Sequence, residues 1–298
     1  MDHYNNLMQR IKNGERILID GATGTEVERR GVPQLDNAWN GGGALTHPDI
    51  VREIHEDYIR HGAEIVISNT FANTKQAMCD AGLENQFELL NRRGVELAIE
   101  ARERMRKPSV LVAGGISYWS WTSQHPSLDE LQDSVSQQAA IMATAGADLL
   151  ILEMMIEIDR MLVTLEASQT SGLPVWVGLT CSLNAEGLMC LRNGDRLMDA
   201  LDSLKNHEVP LVCIMHTEVE LIDACLDIMK NHWSGAIGVY AHSGRSDEST
   251  GAWTYDDTIS AEDYAAAADR WLKRGVQLIG GCCGIGPNHI EIIHQQWA

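Results

Sequence analysis

Short runs of Ile, Val and Leu recur along the chain, and each is followed by a longer stretch in which apolar residues return every third or fourth position among charged ones. The first pattern is that of a strand buried on both faces, the second that of an amphipathic helix. Eight such runs can be read: RILID (16–20), EIVIS (64–68), SVLVA (109–113), DLLIL (148–152), PVWVGL (174–179), PLVCIM (210–215), AIGVY (236–240) and VQLIG (276–280). The segment HPDIVREIHEDYIRHG shows the helical half of the rhythm and ends on Gly62, a residue suited to a helix stop. Eight repeated βα units predict an α/β fold, a (β/α)8 TIM barrel forming a single domain over residues 1–298. The competing architecture, an open doubly wound sheet, usually carries a phosphate-binding turn after its first strand, and DGATGTE does not match GxGxxG.

In such a barrel the chemistry sits on the loops that follow the strands. The expected strand ends offer Asp20, Asn69 and Thr70, Gly114 and Gly115, Glu153, Thr180, His216, Tyr240 and His242, and Cys282 with Cys283. Polar and metal-ligating types therefore gather at one end of the predicted barrel.

Composition narrows the partners. With 298 residues and 44% hydrophobic content the chain can bury a large core. Its 42 acidic and 23 basic side chains give a net charge of -19, which repels phosphate backbones and anionic lipid, so neither nucleic acid nor membrane is an expected partner. No apolar stretch reaches the roughly 18 residues of a membrane span, and the start MDHYNNLMQR lacks the basic-then-apolar order of a signal peptide. A cytoplasmic location is expected, and the seven cysteines read as reduced thiols or metal ligands rather than a disulfide framework.

Cys282 and Cys283 are adjacent in GGCCG. On a continuing strand they would face opposite ways, but Gly280, Gly281, Gly284 and Gly286 give the backbone access to turns that bring both sulfurs together. A third ligand would make the open site of a catalytic zinc, with a fourth position for substrate, and His216 in IMHTE stands at the end of the sixth run. Cys213, three residues earlier, competes for that role but falls inside the run and is expected to be buried and inert. Without a metal, the pair would be a vicinal disulfide or two packed thiols.

The segments DGATGTEVERRG, GAEIVISNTF, ADLLILEMM, GVYAHSG and GGCCGIGPNHI, in that order and over nearly the whole chain, resemble the homocysteine S-methyltransferase family. The resemblance implies a zinc-dependent (β/α)8 barrel that binds homocysteine as a thiolate and methylates its sulfur, giving methionine. It places two zinc ligands on Cys282 and Cys283, and it implies that Asp20 and Glu153 hold the amino group of homocysteine with Thr70 as a nearby polar contact. The family's remaining ligand is usually a cysteine after an asparagine. Here Met215 falls on the asparagine and His216 on the cysteine. Imidazole is an accepted zinc ligand, so the set stays competent but one unit less negative.

Sulfur attacks a methyl group readily only when the leaving group departs neutral or stabilised, which points to a sulfonium, a quaternary ammonium or a methylated cofactor as donor. Aromatic faces hold such cations. Trp39 in DNAWN and Trp119 and Trp121 in SYWSWTS follow the first and third runs, and are candidates for a donor cage or, alternatively, for a hydrophobic lid or subunit contact in a homo-oligomer. The small-molecule partners are thus a thiol and a methyl donor. No folate- or cobalamin-binding domain fits in the remaining length, although a corrinoid protein could dock from outside. The reading from a different class is a non-catalytic metal or thiol binder, against which the presence of Asp20, Thr70 and Glu153 argues.

Overall fold

The computed structural model describes residues 2–246, 253–254 and 259–297. Every one of the eight apolar runs overlaps a strand: β1 Ile17–Leu18, β2 Ile65–Ile67, β3 Leu111–Ile116, β4 Leu149–Met155, β5 Val175–Leu179, β6 Leu211–Glu218, β7 Ala236–His242 and β8 Leu278–Ile279. All neighbours pair in parallel, in the order β1-β8-β7-β6-β5-β4-β3-β2. A parallel bridge from Ile19 to Ile65 joins the two ends of that sheet, so the barrel closes.

Alternation along the strands divides the core into two layers. Ile17, Ile65, Leu111, Leu149, Trp176 and Leu211 point into the barrel, whereas Leu18, Val66, Val112, Leu150, Val177 and Val212 pack outward against the helices. This period-2 division is what a closed sheet with both faces covered requires, and each aliphatic side chain so buried contributes roughly 2 kcal/mol. Cys213 belongs to the inner layer and is fully buried.

One helix lies outside the βα rhythm. Asp2–Lys12 turns Tyr4, Leu7 and Ile11 into the inner layer, and the Trp176 indole N–H donates to the Tyr4 hydroxyl at 3.1 Å. Since Ile17, Trp176 and Leu278 stand at the N-terminal ends of their strands, this helix closes that end. The other end stays open. A short antiparallel hairpin, Cys181–Leu183 with Met189–Leu191, follows β5 and rises over the open end. Among the described residues no helix is long and apolar enough to cross a membrane.

Candidate active site

Two strands lose register near their C-terminal ends. The ladder slips between Leu152 and Met155 in β4 and between Met215 and Glu218 in β6, and there Met154 and His216 adopt φ of +55° and +43°. A bulge re-aims a side chain, and a left-handed non-glycine residue persists only where its surroundings enforce it. Met215 supplies part of that enforcement: its thioether accepts the Met154 N–H and the Thr180 hydroxyl, each at 3.2 Å. The Thr217 hydroxyl donates to Met215 O at 2.9 Å and accepts the Cys181 N–H at 2.9 Å, which ties the β6 bulge to the hairpin.

The cysteines are positioned by the chain that leaves β8. The N–H groups of Gly280, Gly281 and Cys282 donate to Val239 O, Asp20 O and Ala241 O at 3.0, 3.0 and 2.8 Å. A Cβ on Gly280 would lie 2.1 Å from Ile19 Cγ2, and one on Gly281 would lie 2.1 Å from Ile285 Cγ2. These two glycines thus serve close approach, and the left-handed conformation falls on Gly284 at φ +83°. The turn closes through Ile285 N–H to Cys282 O at 3.0 Å.

Both sulfurs therefore converge. They stand 3.9 Å apart, and both cysteines are free thiols rather than a vicinal disulfide. Cys282 Sγ is 3.4 Å from His216 Nδ1, and the three potential ligand atoms all lie within 4.8 Å of one another. A tetrahedral zinc with ordinary bond lengths separates two sulfurs by about 3.8 Å and a sulfur from a nitrogen by about 3.6 Å. The donor set fits a metal ion both chemically and in its spacing. Without one, the Cys283 thiol is held well below its usual range by the Cys282 S–H and then by His216, while Cys282 is pushed up.

This cluster lies in a cavity of about 660 Å³ at the open end of the barrel. Glu153, Trp39, Trp119 and Trp121 line the same cavity. Burial, and then the charge of Cys283, pushes the Glu153 carboxyl up to about 8. Asp20 and Thr70 do not reach the wall. Asp20 is buried behind it, its carboxylate accepting the Ile67 N–H at 2.7 Å, and burial raises its pKa. The Thr70 hydroxyl donates to Gly115 O at 2.8 Å, and Gly115 is the residue against which the Glu153 carboxylate rests, a Cβ there meeting Oε2 at 2.6 Å. His242 packs against His216 with ring centroids 4.5 Å apart and planes tilted by 52°, and burial lowers its pKa to about 3.

Three features were not read from the sequence. Glu28 lines the cavity and accepts the Trp39 indole N–H at 3.2 Å. Arg192, just after the hairpin, also lines it, with its guanidinium 5.6 Å from the Trp119 ring centroid. The third is the thioether of Met215. The polar NAEG turn between SL and LM is the signal by which the hairpin could have been found, but nothing local announces where Arg192 points.

Residues 17–297 match the family model described as homocysteine S-methyltransferase. The chain belongs to the homocysteine S-methyltransferase family. Its relatives include Homocysteine S-methyltransferase 2 of Arabidopsis thaliana, 27% identical with 98% of this chain and 96% of the relative covered. Selenocysteine Se-methyltransferase of Brassica oleracea var. italica is also 27% identical, covering 96% and 90%. Among solved structures, the metallated form of the homocysteine methyltransferase MmuM from Escherichia coli superposes with a TM-score of 0.79 at 25% identity, covering 95% of this chain and 96% of that one. The homocysteine S-methyltransferase barrel is thus an S-methyltransferase fold over essentially its full length, acting on small molecules, with a His/Cys cluster that can hold a metal.

Proposed function

We propose that this enzyme transfers a methyl group from a cationic sulfonium or quaternary ammonium donor to the thiol of homocysteine, with Zn2+ held by His216, Cys282 and Cys283. The observation that carries the proposal is the convergence of those three ligand atoms within 4.8 Å of one another on a wall of the barrel-mouth cavity. Bound there, zinc would lower the pKa of a substrate thiol so that it reacts as a thiolate. The chain's own residues do the rest. Glu153, which lines the cavity, pairs with the substrate ammonium, and that pairing favours its ionised form. Asp20 lies behind it, where burial favours its neutral form and ionisation would follow only when the ammonium arrives, and Thr70 fixes the Gly115 backbone that leaves room for the Glu153 carboxylate. Trp39, Trp119 and Trp121 supply aromatic surface for the cationic donor.

His216 in place of a thiolate makes the donor set less negative, which favours tighter thiolate binding and a less nucleophilic sulfur. A relative named for selenocysteine keeps a different acceptor in view. The two free cysteines need a reducing compartment to remain ligands, which supports the cytosol as the enzyme's location. The test combines metal analysis with a transfer assay. Wild-type protein should bind one zinc and form methionine from homocysteine with a sulfonium or betaine donor. Stoichiometric zinc retained after His216→Ala would overturn the ligand assignment, and metal-loaded protein inactive with every onium donor would overturn the activity.

A further inference from the structure

Among the described residues that line the mouth cavity, Arg192 is the one lysine or arginine. The hairpin holds it in place, because the Arg192 backbone N–H donates to Thr180 O at 3.0 Å, fastening the turn to the end of β5. Its guanidinium lies over Trp119, 5.6 Å from the ring centroid. A methyl donor that is itself a permanent cation must share the cavity with this charge, and Trp119 already offers one face to it. A second pole lines the same cavity: Glu28 and Trp39, joined by the 3.2 Å indole hydrogen bond, follow β1, whereas Arg192 follows β5 and places its guanidinium over Trp119, which follows β3. The cavity therefore has an anionic, aromatic side suited to an onium group and a cationic side suited to a carboxylate.

We propose that Arg192 is a specificity-determining residue that receives the carboxylate of the methyl donor, so that the enzyme selects onium donors bearing a carboxylate over those without one. The guanidinium presents planar paired donors to that group, and the Trp119 ring beneath it limits its orientation. This inference rests on the proposed methyl-transfer reading, and it separates from that reading because it also predicts binding. A carboxylate reaching Arg192 could instead belong to the thiol acceptor, and the experiment distinguishes the two sources.

The test uses full-length metal-loaded protein, wild type and Arg192→Gln and Arg192→Lys. The donors are S-methylmethionine and its carboxamide, and the acceptors are homocysteine and 3-aminopropane-1-thiol, its analogue without a carboxylate. Arg192 is exposed, so the substitutions should leave the melting temperature unchanged. In wild type, S-methylmethionine should have at least a tenfold lower KM than its amide. Arg192→Gln should raise the KM for S-methylmethionine about tenfold and reduce the acid-to-amide ratio to within twofold of unity, and Arg192→Lys should recover part of it. The KM for homocysteine should move less than twofold. An unchanged acid-to-amide ratio in Arg192→Gln overturns the proposal, as does a loss confined to homocysteine and absent with 3-aminopropane-1-thiol. If no methyl transfer is detected, the same ratio is read from dissociation constants by tryptophan fluorescence. A carboxylate preference that disappears in Arg192→Gln then supports the subsite while the transfer reading fails, and equal affinities overturn the subsite.

Discussion

At the scale of single residues, the proposed ligand that sets the charge of the donor set is His216. Introducing cysteine there adds one negative charge to the donor set while keeping a competent ligand. Zinc stoichiometry in His216→Cys should stay near one, the KM for homocysteine should rise, and transfer at saturation should quicken. Metal analysis alongside steady-state kinetics checks all three, and a lower homocysteine KM would contradict the charge argument. Glu153 allows a second check. Replacing a carboxylate that pairs with an ammonium costs a charge-assisted hydrogen bond, so Glu153→Gln should raise the homocysteine KM by about 10- to 100-fold. It should leave zinc content unchanged. Away from the site, His55 is fully buried, neither ring nitrogen has a hydrogen-bond partner among the described residues, and burial lowers its pKa to about 4. The unfolded chain takes up this proton near pH 6.5, whereas the folded one resists until about 4, so stability present above 6.5 is lost as pH falls toward 4. That lowering, from 6.5 to about 4, corresponds to about 3 kcal/mol. His55→Leu should flatten this limb in denaturation midpoints measured between pH 6.5 and 4.

At the scale of elements, the strands were legible and their endings were not. Aliphatic runs bounded by turn formers located all eight strands because burial on both faces leaves no polar positions to blur the pattern. The strands β4 and β6 run on to Met155 and Glu218, past the runs at 148–152 and 210–215, because their ladders continue through bulges. A bulge arises from a mismatch with neighbouring strands, and the residues Glu153-Met154 and His216-Thr217 carry no local sign of it. The same limit applies to the candidate ligands: GGCCG marked the cysteines, but the function of Gly280 and Gly281 became visible only through the side chains that crowd them. The two bulges meet at Met215, whose sulfur accepts from Met154 and Thr180. Met215→Leu keeps the volume and removes the acceptor, leaving a buried N–H unsatisfied at a cost of about 1–3 kcal/mol. We expect a lower thermal midpoint and weaker zinc retention against a chelator. A drop in midpoint with unaltered zinc affinity would mean that the latch holds the fold but not the ligand.

At the scale of the whole molecule, the barrel is sealed at one end and open at the other, and the two ends should be separable by mutation. The N-terminal helix was absent from the βα rhythm because it precedes the first strand, although Tyr4, Leu7 and Ile11 carry ordinary helical spacing. Their burial nevertheless approaches that of the strands, with Leu7 and Ile11 each 3% exposed and in the same inner layer as Ile17, Leu149 and Leu211. The candidate ligands, Glu153 and Trp39, Trp119 and Trp121 all sit at or beyond the opposite ends of the strands, around the mouth cavity. Truncating Leu7 to alanine leaves a hole beneath a packed interior that cannot collapse to fill it, at a cost of about 2–5 kcal/mol. The loss should appear in the denaturation midpoint, with zinc stoichiometry and the homocysteine KM within twofold of wild type, because the intervening layer of the barrel is intact. Loss of zinc in Leu7→Ala at temperatures where the protein remains folded would show that the two ends are coupled through the interior, and that the bulges near the mouth depend on packing at the floor.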